Sequence, residues 1–300
     1  MTEKIGFIGL GLMGHGMAGN LLEKGYPLTA VVHRNRAPLE DLVPHGATES
    51  ASAREVAERS DIVIICVTGA PQVEEVVYGD EGLLQGVGEG KIVMDCSTSE
   101  PDITARVSAD IASRGAQFAD APLARTPIEA EAGRLNTMVG ASEETFAVIK
   151  PVLECFCENI FHVGPVGAGH KTKLINNFLA MGHAALIGEA LCACVATGVD
   201  PRKYYEVVTA GGANSGIFQL IVPKALDEGD YSGLKFSLAN AAKDLRYYTR
   251  MTESVPLTGN LGNAVHHALV QGLNLGFDDG FVGDLIRAQA KLNRIDFPGD

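Results

Sequence analysis

The chain has 300 residues, 46% of them hydrophobic, and a formal net charge of −13 at pH 7. This length predicts two domains, and the composition excludes a disordered protein. The acidic balance and the lack of a long Lys or Arg run argue against nucleic-acid binding. The 6 cysteines show no C-x-x-C pair and no histidine spacing of a zinc site, so we expect neither a metal site nor disulfides.

The start of the chain lacks the apolar segment of a secretory signal, because charged and glycine residues follow the first residue at once. We therefore expect a cytoplasmic protein. The most apolar long run covers residues 174–196 and approaches the length of a membrane span. It contains Asn176, Asn177, His183 and Glu189, which favours a buried central helix and no membrane association.

A glycine-rich turn follows the first predicted strand, residues 4–8, and opens a helix that reaches about residue 24. The turn reads Gly9-Leu10-Gly11-Leu12-Met13-Gly14, which is G-x-G-x-x-G in the strand-to-helix context that binds a dinucleotide. Gly9 permits the tight turn, Gly11 lets a pyrophosphate approach the backbone, and Gly14 lets the helix pack against the strand. The helix N-terminus supplies N–H donors to the phosphates. We therefore predict a dinucleotide site at residues 9–14.

The residues after the second predicted strand, 28–32, indicate which dinucleotide binds. An NAD-preferring domain usually ends this strand with an acidic residue for the ribose 2′-OH. Here the strand ends in His33-Arg34-Asn35-Arg36, and the nearest acids, Glu40 and Asp41, come several residues later. Two guanidinium groups suit a 2′-phosphate, so the sequence favours NADP(H) over NAD(H). The alternative, with NAD still possible, is that both arginines lie in a solvated turn.

Short apolar strands and helices alternate up to about residue 163. The segments 67–71, 95–101 and 120–126 each follow a strand, and ligands of parallel sheets bind beyond these strand ends. Their convergence predicts one ligand site. Further strands are predicted at 61–67, 91–95, 117–119, 136–139 and 160–163, with helices from 72, from 101 to about 114, and at 143–154.

Only helical patterns follow residue 169. One helix of about 169–197 is roughly 40 Å long at 1.5 Å per residue, and it places Lys173 and Asn177 one turn apart on one face. The predicted fold class is an α/β Rossmann domain (1–164) and an all-α C-terminal domain (165–300), joined by this interdomain helix. Later helices are predicted at 201–209, 219–227, 238–251, 256–271 and 279–291.

These motifs together resemble the β-hydroxyacid dehydrogenase family, which includes 3-hydroxyisobutyrate dehydrogenase and tartronate semialdehyde reductase. The resemblance covers essentially the whole chain and implies the same two-domain fold, in homodimers or homotetramers. It rests on GLGLMG at 9–14, DCSTSEP at 95–101, DAP at 120–122, GAGHKTKLINN at 167–177, and Phe236 with Lys243-Asp244-Leu245.

The resemblance implies that Lys173 is the catalytic acid/base and that Asn177 is its partner. Hydride transfer to a carbonyl carbon leaves charge on oxygen, so a nearby ammonium can donate the proton and take it back in the reverse reaction. The alternative is a surface lysine at a helix start, as we expect for Lys171. The resemblance further implies a set of binding residues, which are Val67, Thr68, Thr98 and Lys243 for the cofactor, and Ser97, Asn177 and Phe236 for the substrate.

One loop departs from the family pattern. The usual D-x-P-V-S-G-G, whose serine and glycines hold a substrate carboxylate, is replaced by a stretch that ends in Ala124, Arg125 and Thr126. This is similar to the loop of sulfolactaldehyde reductase, which has glycine-arginine-threonine there. The planar fork of Arg125 suits a carboxylate, phosphate or sulfonate, so we predict an anionic substrate. The alternative is that Arg125 faces solvent or pairs with Glu129.

The predicted function is an NADP(H)-preferring oxidoreductase that interconverts a small, acidic 3-hydroxyacid and its semialdehyde. An imine reductase on the same architecture is an alternative, although those enzymes typically lack the lysine. A non-catalytic dinucleotide sensor is a second alternative, and the presence of both Lys173 and Asn177 counts against it.

Overall fold

A computed structural model describes residues 2–297. The first half of the chain alternates strands and helices. Its strands are β1 (Ile5–Ile8), β2 (Leu28–Val31), β3 (Thr48–Ser50), β4 (Ile62–Ile65), β5 (Ile92–Asp95), β6 (Gln117–Asp120), β7 (Leu123–Ala124), β8 (Leu135–Gly140) and β9 (Cys157–Gly164). Its helices are α1 (Gly14–Glu23), α2 (Ala37–Leu42), α3 (Ala53–Arg59), α4 (Ala70–Tyr78), α5 (Pro101–Ser113), α6 (Pro127–Glu131) and α7 (Glu143–Leu153).

The strands form one sheet in the order β3-β2-β1-β4-β5-β6-β8-β7, with β9 also paired to β8. Neighbours from β3 to β6 are parallel, whereas β8 runs antiparallel to β6 and β7. The last residues of four central strands lie in one row, because Ile8 pairs with Ile65, Ile65 with Asp95, and Asp95 with Asp120. The segments that leave these strands therefore start side by side at one edge of the sheet.

Helices cover both faces of this sheet, so its central strands are apolar on both sides. Side chains alternate along each strand because successive residues point to opposite faces. Ile5, Ile62 and Met94 pack into one core, whereas Val63 and Val93 pack into the other. This confirms the predicted Rossmann-type domain.

The second half of the chain is helical, as predicted. Its helices are α8 (Ala168–Thr197), α9 (Pro201–Thr209), α10 (Gly216–Glu228), α11 (Leu238–Glu253), α12 (Asn260–Asn274) and α13 (Leu285–Asn293). Helices α11 and α12 pack closely at Gly262, which has no side chain. A Cβ at this position would lie only 2.6 Å from the ring of Tyr248. The chain divides into two compact units, one ending at Lys173 and one beginning at Leu174. The predicted boundary after residue 164 lies earlier, at the end of β9.

Helix α8 is long and apolar enough to cross a membrane by length and composition, and it is the one such helix within residues 2–297. The core helix of a globular protein passes the same test. Leu174, Met181 and Leu191 are buried in the protein, which fits the predicted core helix.

Three predicted helix starts are wrong. Helix α10 begins at Gly216 and not at residue 219. Helix α12 begins at Asn260 and not at residue 256, and α13 begins at Leu285 and not at residue 279. Phe281 forms a β-bridge with Ser237, and its N–H donates to the Asp284 carboxylate at 2.8 Å. These contacts keep Phe281 extended, and a short 3-10 turn at residues 282–284 then leads into α13.

Candidate active site

The glycine turn after β1 has a different steric requirement at each glycine. Gly9 has φ +105°, and a Cβ there would lie 2.2 Å from the Cys66 carbonyl oxygen. A Cβ on Gly14 would lie 2.0 Å from the Gly9 oxygen, so the helix can approach the strand only without a side chain. A Cβ on Gly11 would meet nothing within 4 Å. The space beside Gly11, next to the N-terminus of α1, fits the pyrophosphate of a dinucleotide.

The other residues of this turn divide between core and solvent. Leu10 and Met13 pack against the core, whereas Leu12 is 81% exposed. The turn is therefore anchored at two positions and open between them.

The two arginines after β2 differ in their partners. Arg36 donates from Nη1 and Nη2 to the two Glu49 carboxylate oxygens, both at 2.9 Å, and its Nε lies 3.4 Å from Glu40. This hydrogen-bonded pair lowers the pKa of Glu49. Arg34 is exposed and forms no hydrogen bond within residues 2–297. The Asn35 side chain accepts the N–H of Ala37, the first residue of α2, at 3.2 Å.

The segments after β4 and β5 are bonded to each other. Ser97 accepts the Val67 N–H on its hydroxyl at 3.0 Å, and its own N–H donates to Asp95 Oδ1 at 2.9 Å. Because Ser97 is 3% exposed, its hydroxyl braces the two loops from inside. Thr68 is exposed and Thr98 is half-buried, so these two predicted cofactor residues border the braced edge.

A buried hydroxyl on the same loop has no partner in the described part of the chain. Ser99 Oγ is buried and makes no hydrogen bond there. Buried hydroxyls normally have a hydrogen-bond partner. A dinucleotide at the edge of this loop therefore fits the residues present.

The start of α8 is held against the sheet by a carboxylate that is distant in sequence. Asp120, the last residue of β6, accepts the N–H of Gly167 at 2.6 Å and of His170 at 2.7 Å. A Cβ on Gly169 would lie 2.4 Å from the Met138 carbonyl oxygen, so the contact requires glycine. Lys173 follows one turn later and is only 8% exposed. The sequence interpretation missed Asp120 as an anchor, although its motif contains it.

Asn177, the next turn of α8, is 5% exposed and its Nδ2 donates to Asp244 Oδ2 at 2.7 Å. This bond fixes the amide so that Oδ1 remains an acceptor. Asp244 Oδ1 lies 2.9 Å from Lys243 Nζ, a close ion pair without hydrogen-bond alignment. The sequence interpretation named Asp244 only within a motif, and no local signal assigned it to Asn177. Phe236 is half-buried in the extended segment before α11.

The loop at residues 124–126, which differs from the family pattern, has a strained backbone at its central residue. Ala124 belongs to β7, and Arg125 has φ +81°, a conformation that favours glycine. The usual family pattern has glycine at the position of Arg125, and the positive φ explains this preference, because glycine adopts such a φ without strain. The alternative ion pair of Arg125 with Glu129 is wrong, because Arg125 pairs with Glu158. The Glu129 carboxylate instead accepts the N–H of Thr126 at 3.0 Å. Hydrogen bonds from Thr126 lower the pKa of Glu129.

Arg125 instead uses Nη1 to bind the Glu158 carboxylate and the Arg134 carbonyl oxygen. Its Nε and Nη2 form no hydrogen bond within residues 2–297, and the side chain is 32% exposed. That edge of the guanidinium is the one that binds a carboxylate with two parallel hydrogen bonds.

No group of three His, Cys, Asp or Glu side chains within residues 2–297 is placed to hold a metal ion. The fold and the glycine turn define the class of protein, a dinucleotide-binding protein with a Rossmann domain followed by a helical domain. Comparisons with known proteins narrow that class. The family model described as the NAD binding domain of 6-phosphogluconate dehydrogenase matches residues 4–164. The model described as NAD-binding of NADP-dependent 3-hydroxyisobutyrate dehydrogenase matches residues 167–286.

Curated relatives and a solved structure agree with these matches. The chain is 36% identical over 242 residues to 2-(hydroxymethyl)glutarate dehydrogenase of Eubacterium barkeri, covering 81% of this chain and 80% of that protein. It is 33% identical to 3-hydroxyisobutyrate dehydrogenase of Pseudomonas aeruginosa, covering 96% and 100%. A solved structure of Mycobacterium tuberculosis 3-hydroxyisobutyrate dehydrogenase with L-serine is similar with a TM-score of 0.87 at 25% identity, covering 96% and 99%.

The chain belongs to the β-hydroxyacid dehydrogenase family. It is an NAD(P)-dependent 3-hydroxyacid dehydrogenase or semialdehyde reductase. The roles of the individual residues stay predictions.

Proposed function

We propose that this protein interconverts a small acidic 3-hydroxyacid, of dicarboxylate or sulfonate type, and its semialdehyde, with Lys173 as the acid/base. The observation that carries the proposal is the position of Lys173. It is 8% exposed and lies in a helix turn that Asp120 anchors to the end of β6. A lysine is rarely so buried without a specific role or partner.

The proposed reaction consists of a hydride transfer and a proton transfer. NAD(P) supplies the hydride acceptor in oxidation and the hydride donor in reduction. In the oxidation direction Lys173 Nζ takes the hydroxyl proton as the carbon–oxygen double bond forms. In the reduction direction its ammonium returns that proton to the oxygen. Asn177, with its amide fixed by Asp244, offers Oδ1 to orient the hydroxyl.

We propose that Arg125 binds the anionic group of the substrate. Its Nη1 is held by Glu158 and Arg134, which leaves the edge formed by Nε and Nη2 for a carboxylate or sulfonate. Ala124 and Thr126 flank it, and Thr126 is already occupied with Glu129. The Eubacterium barkeri relative is named for a hydroxyacid with two carboxylates, which favours the same substrate class here.

For the cofactor we propose a preference for NADP(H), with the phosphates at residues 9–14 and the 2′-phosphate at Arg34. Arg34 is exposed and has no hydrogen bond within residues 2–297, whereas Arg36 is bound to Glu49. Val67, Thr68, Thr98 and Lys243 complete the proposed cofactor set, and Ser97 acts mainly as their internal brace. Phe236 remains the proposed wall of the substrate pocket.

We further propose a cytoplasmic homodimer or homotetramer without nucleic-acid or membrane partners. Ile175, Leu179 and Leu186 are each more than half exposed on α8. Their spacing places them on one side of the helix, where an apolar stripe is typical of an assembly surface.

Replacement of Lys173 by Ala tests the proposed mechanism. We expect kcat to fall by about 100-fold to 10,000-fold, the usual contribution of a positioned acid/base, with NADPH affinity retained. Lys171→Ala is the matched control, because Lys171 is exposed two residues earlier on the same helix. Near-normal turnover of Lys173→Ala would refute the assignment.

The substrate is identified by absorbance at 340 nm with small hydroxyacids and semialdehydes, including dicarboxylates and sulfonates, against both cofactors. We expect turnover of an anionic 3-hydroxyacid and faster reaction with NADP(H). Cofactor binding can be followed by nicotinamide fluorescence. Tryptophan emission does not interfere, because the chain contains no tryptophan. Turnover of cyclic imines without any hydroxyacid activity would favour the imine reductase alternative.

A further inference from the structure

A group of buried polar residues surrounds the Asp120 anchor, and of these only Asp120 has a part in the function proposed above. Asp95, Thr104, Asp120 and His170 are each 2% exposed or less. They come from β5, α5, β6 and the first turn of α8, all within the first compact unit. Burying this many polar groups is unfavourable unless each has a partner, so their contacts indicate what the cluster does.

The imidazole of His170 connects two segments that the proposed site needs. Its Nε2 lies 3.0 Å from the Ser97 carbonyl oxygen, which can only accept, so Nε2 carries a proton and donates. Its Nδ1 lies 2.7 Å from Thr104 Oγ1, which in turn lies 3.0 Å from the Glu100 carbonyl oxygen. One ring thus bonds the loop after β5 at Ser97 and the first turn of α5 at Thr104.

Two carboxylates surround the ring without bonding it directly. Asp95 Oδ2 lies 3.8 Å from Nε2, and Asp120 Oδ2 lies 4.0 Å from Nδ1. Burial raises the pKa of Asp95, and the hydrogen bonds from Ser97 only partly oppose this. Both carboxylates already accept backbone N–H groups, Asp95 from Ser97 and Asp120 from Gly167 and His170. The ring is therefore hydrogen-bonded at both nitrogens, with one carboxylate about 4 Å from each.

The backbone and the side chain of His170 have different partners. The N–H binds Asp120 and fixes the start of α8, whereas the ring binds the loop that carries Thr98. Lys173 lies three residues further along the same helix, within one turn. Movement of the Ser97 loop relative to the Lys173 turn therefore requires the ring contact to break.

We propose that His170 is a positioning residue that holds the loop Ser97–Thr98, which carries the predicted cofactor residue Thr98, and the Lys173 turn in one fixed geometry. This inference rests on the proposed function. Hydride and proton are transferred at adjacent atoms, so a displacement of about 1 Å between their two supports can cost about 100-fold in rate. We expect binding of the hydroxyacid to be affected less, because Arg125 is held by Arg134 and Glu158 and forms no hydrogen bond with Ser97 or His170.

Two variants with side-chain amides, His170→Gln and His170→Asn, test whether the hydrogen bond donated by Nε2 is needed. In His170→Gln the side-chain amide can take the place of Nε2, whereas in His170→Asn it reaches only the place of Nδ1. We expect His170→Asn to lower kcat by about 100-fold with little change in KM, and to show a larger isotope effect with 4-deuterated NADPH. His170→Gln should recover most of the turnover. Equal kcat values for the two variants, or a wild-type kcat in His170→Asn, would overturn the proposal.

Hydrogen–deuterium exchange tests the same proposal without turnover. His170→Asn should speed amide exchange both in residues 95–100 and in residues 167–173, because the ring joins the two segments. Faster exchange in residues 167–173 alone would assign His170 to helix capping only and overturn the proposed coupling. If the wild type turned over no hydroxyacid, the proposed function would fail, while the exchange result would still decide the coupling.

Discussion

The start of α8 and the loop at residues 124–126 differ in how tightly the fold constrains them. At the start of α8, Asp120 binds two backbone N–H groups, and Gly169 lies in van der Waals contact with the sheet. In the loop, Arg125 is partly exposed, strained at φ +81°, and bound through one nitrogen only. The first region cannot vary without moving Lys173. The second can exchange side chains while the backbone stays in place, so we infer that the reaction is set by the first and the substrate by the second.

The largest expected effect on stability is at Gly169, because the start of α8 leaves no space for a side chain there. Gly169→Ala places a Cβ 2.4 Å from the Met138 carbonyl oxygen and 2.6 Å from that of Asp120. Overpacking of this kind lowers the free energy of unfolding by about 1–3 kcal/mol, which urea denaturation can measure.

Gly19→Ala, in helix α1, is the control for this substitution. Its Cβ would lie 3.8 Å from Leu42, an ordinary van der Waals contact. It should raise the free energy of unfolding by about 0.5–1 kcal/mol. Equal stability of the two variants would contradict the close approach at the start of α8.

A smaller effect is expected at Arg125, where the loop should tolerate change but substrate binding should not. Arg125→Ala should raise KM for anionic substrates by about 10-fold or more, since a hydrogen bond to a charged group contributes about 1.5–3 kcal/mol, with kcat nearly unchanged. Arg106→Ala, on α5 and bound to Glu74, is the control. An unchanged KM would remove Arg125 from the substrate site.

The smallest effect is expected at Glu49, which tests the exposed cofactor turn. Glu49→Gln frees the Arg36 fork for a 2′-phosphate and should tighten NADPH binding up to about 5-fold, the scale of an exposed ion pair. NADH binding should not change. Glu55→Gln, in α3 and paired with Arg59, controls for the loss of one negative charge. Equal tightening by both variants would mean that net charge and not Arg36 is responsible.

Much of the fold was predictable because its signals are local. The apolar strands and the G-x-G-x-x-G turn are contiguous in sequence, and the steric roles expected of Gly9 and Gly14 match the contacts of those two glycines. The short elements α2, β3, α3, β7 and α6 were not predicted, although Ser52 capping the Glu55 N–H at 3.2 Å is a recognisable helix start. Elements of 2 to 7 residues offer too few periodic positions for a pattern.

The sequence by itself determined the order of the two domains, the dinucleotide turn, and the one-turn spacing of Lys173 and Asn177, because a strand or helix period carries each of these. Only the tertiary structure decided that Glu49 binds Arg36, that Arg125 pairs with Glu158 and not Glu129, and that His170 joins Ser97 to α8. The contacts of His170 span 50 to 73 residues. No local pattern encodes such pairs, because the two partners meet only when the strand ends come into register at the edge of the sheet.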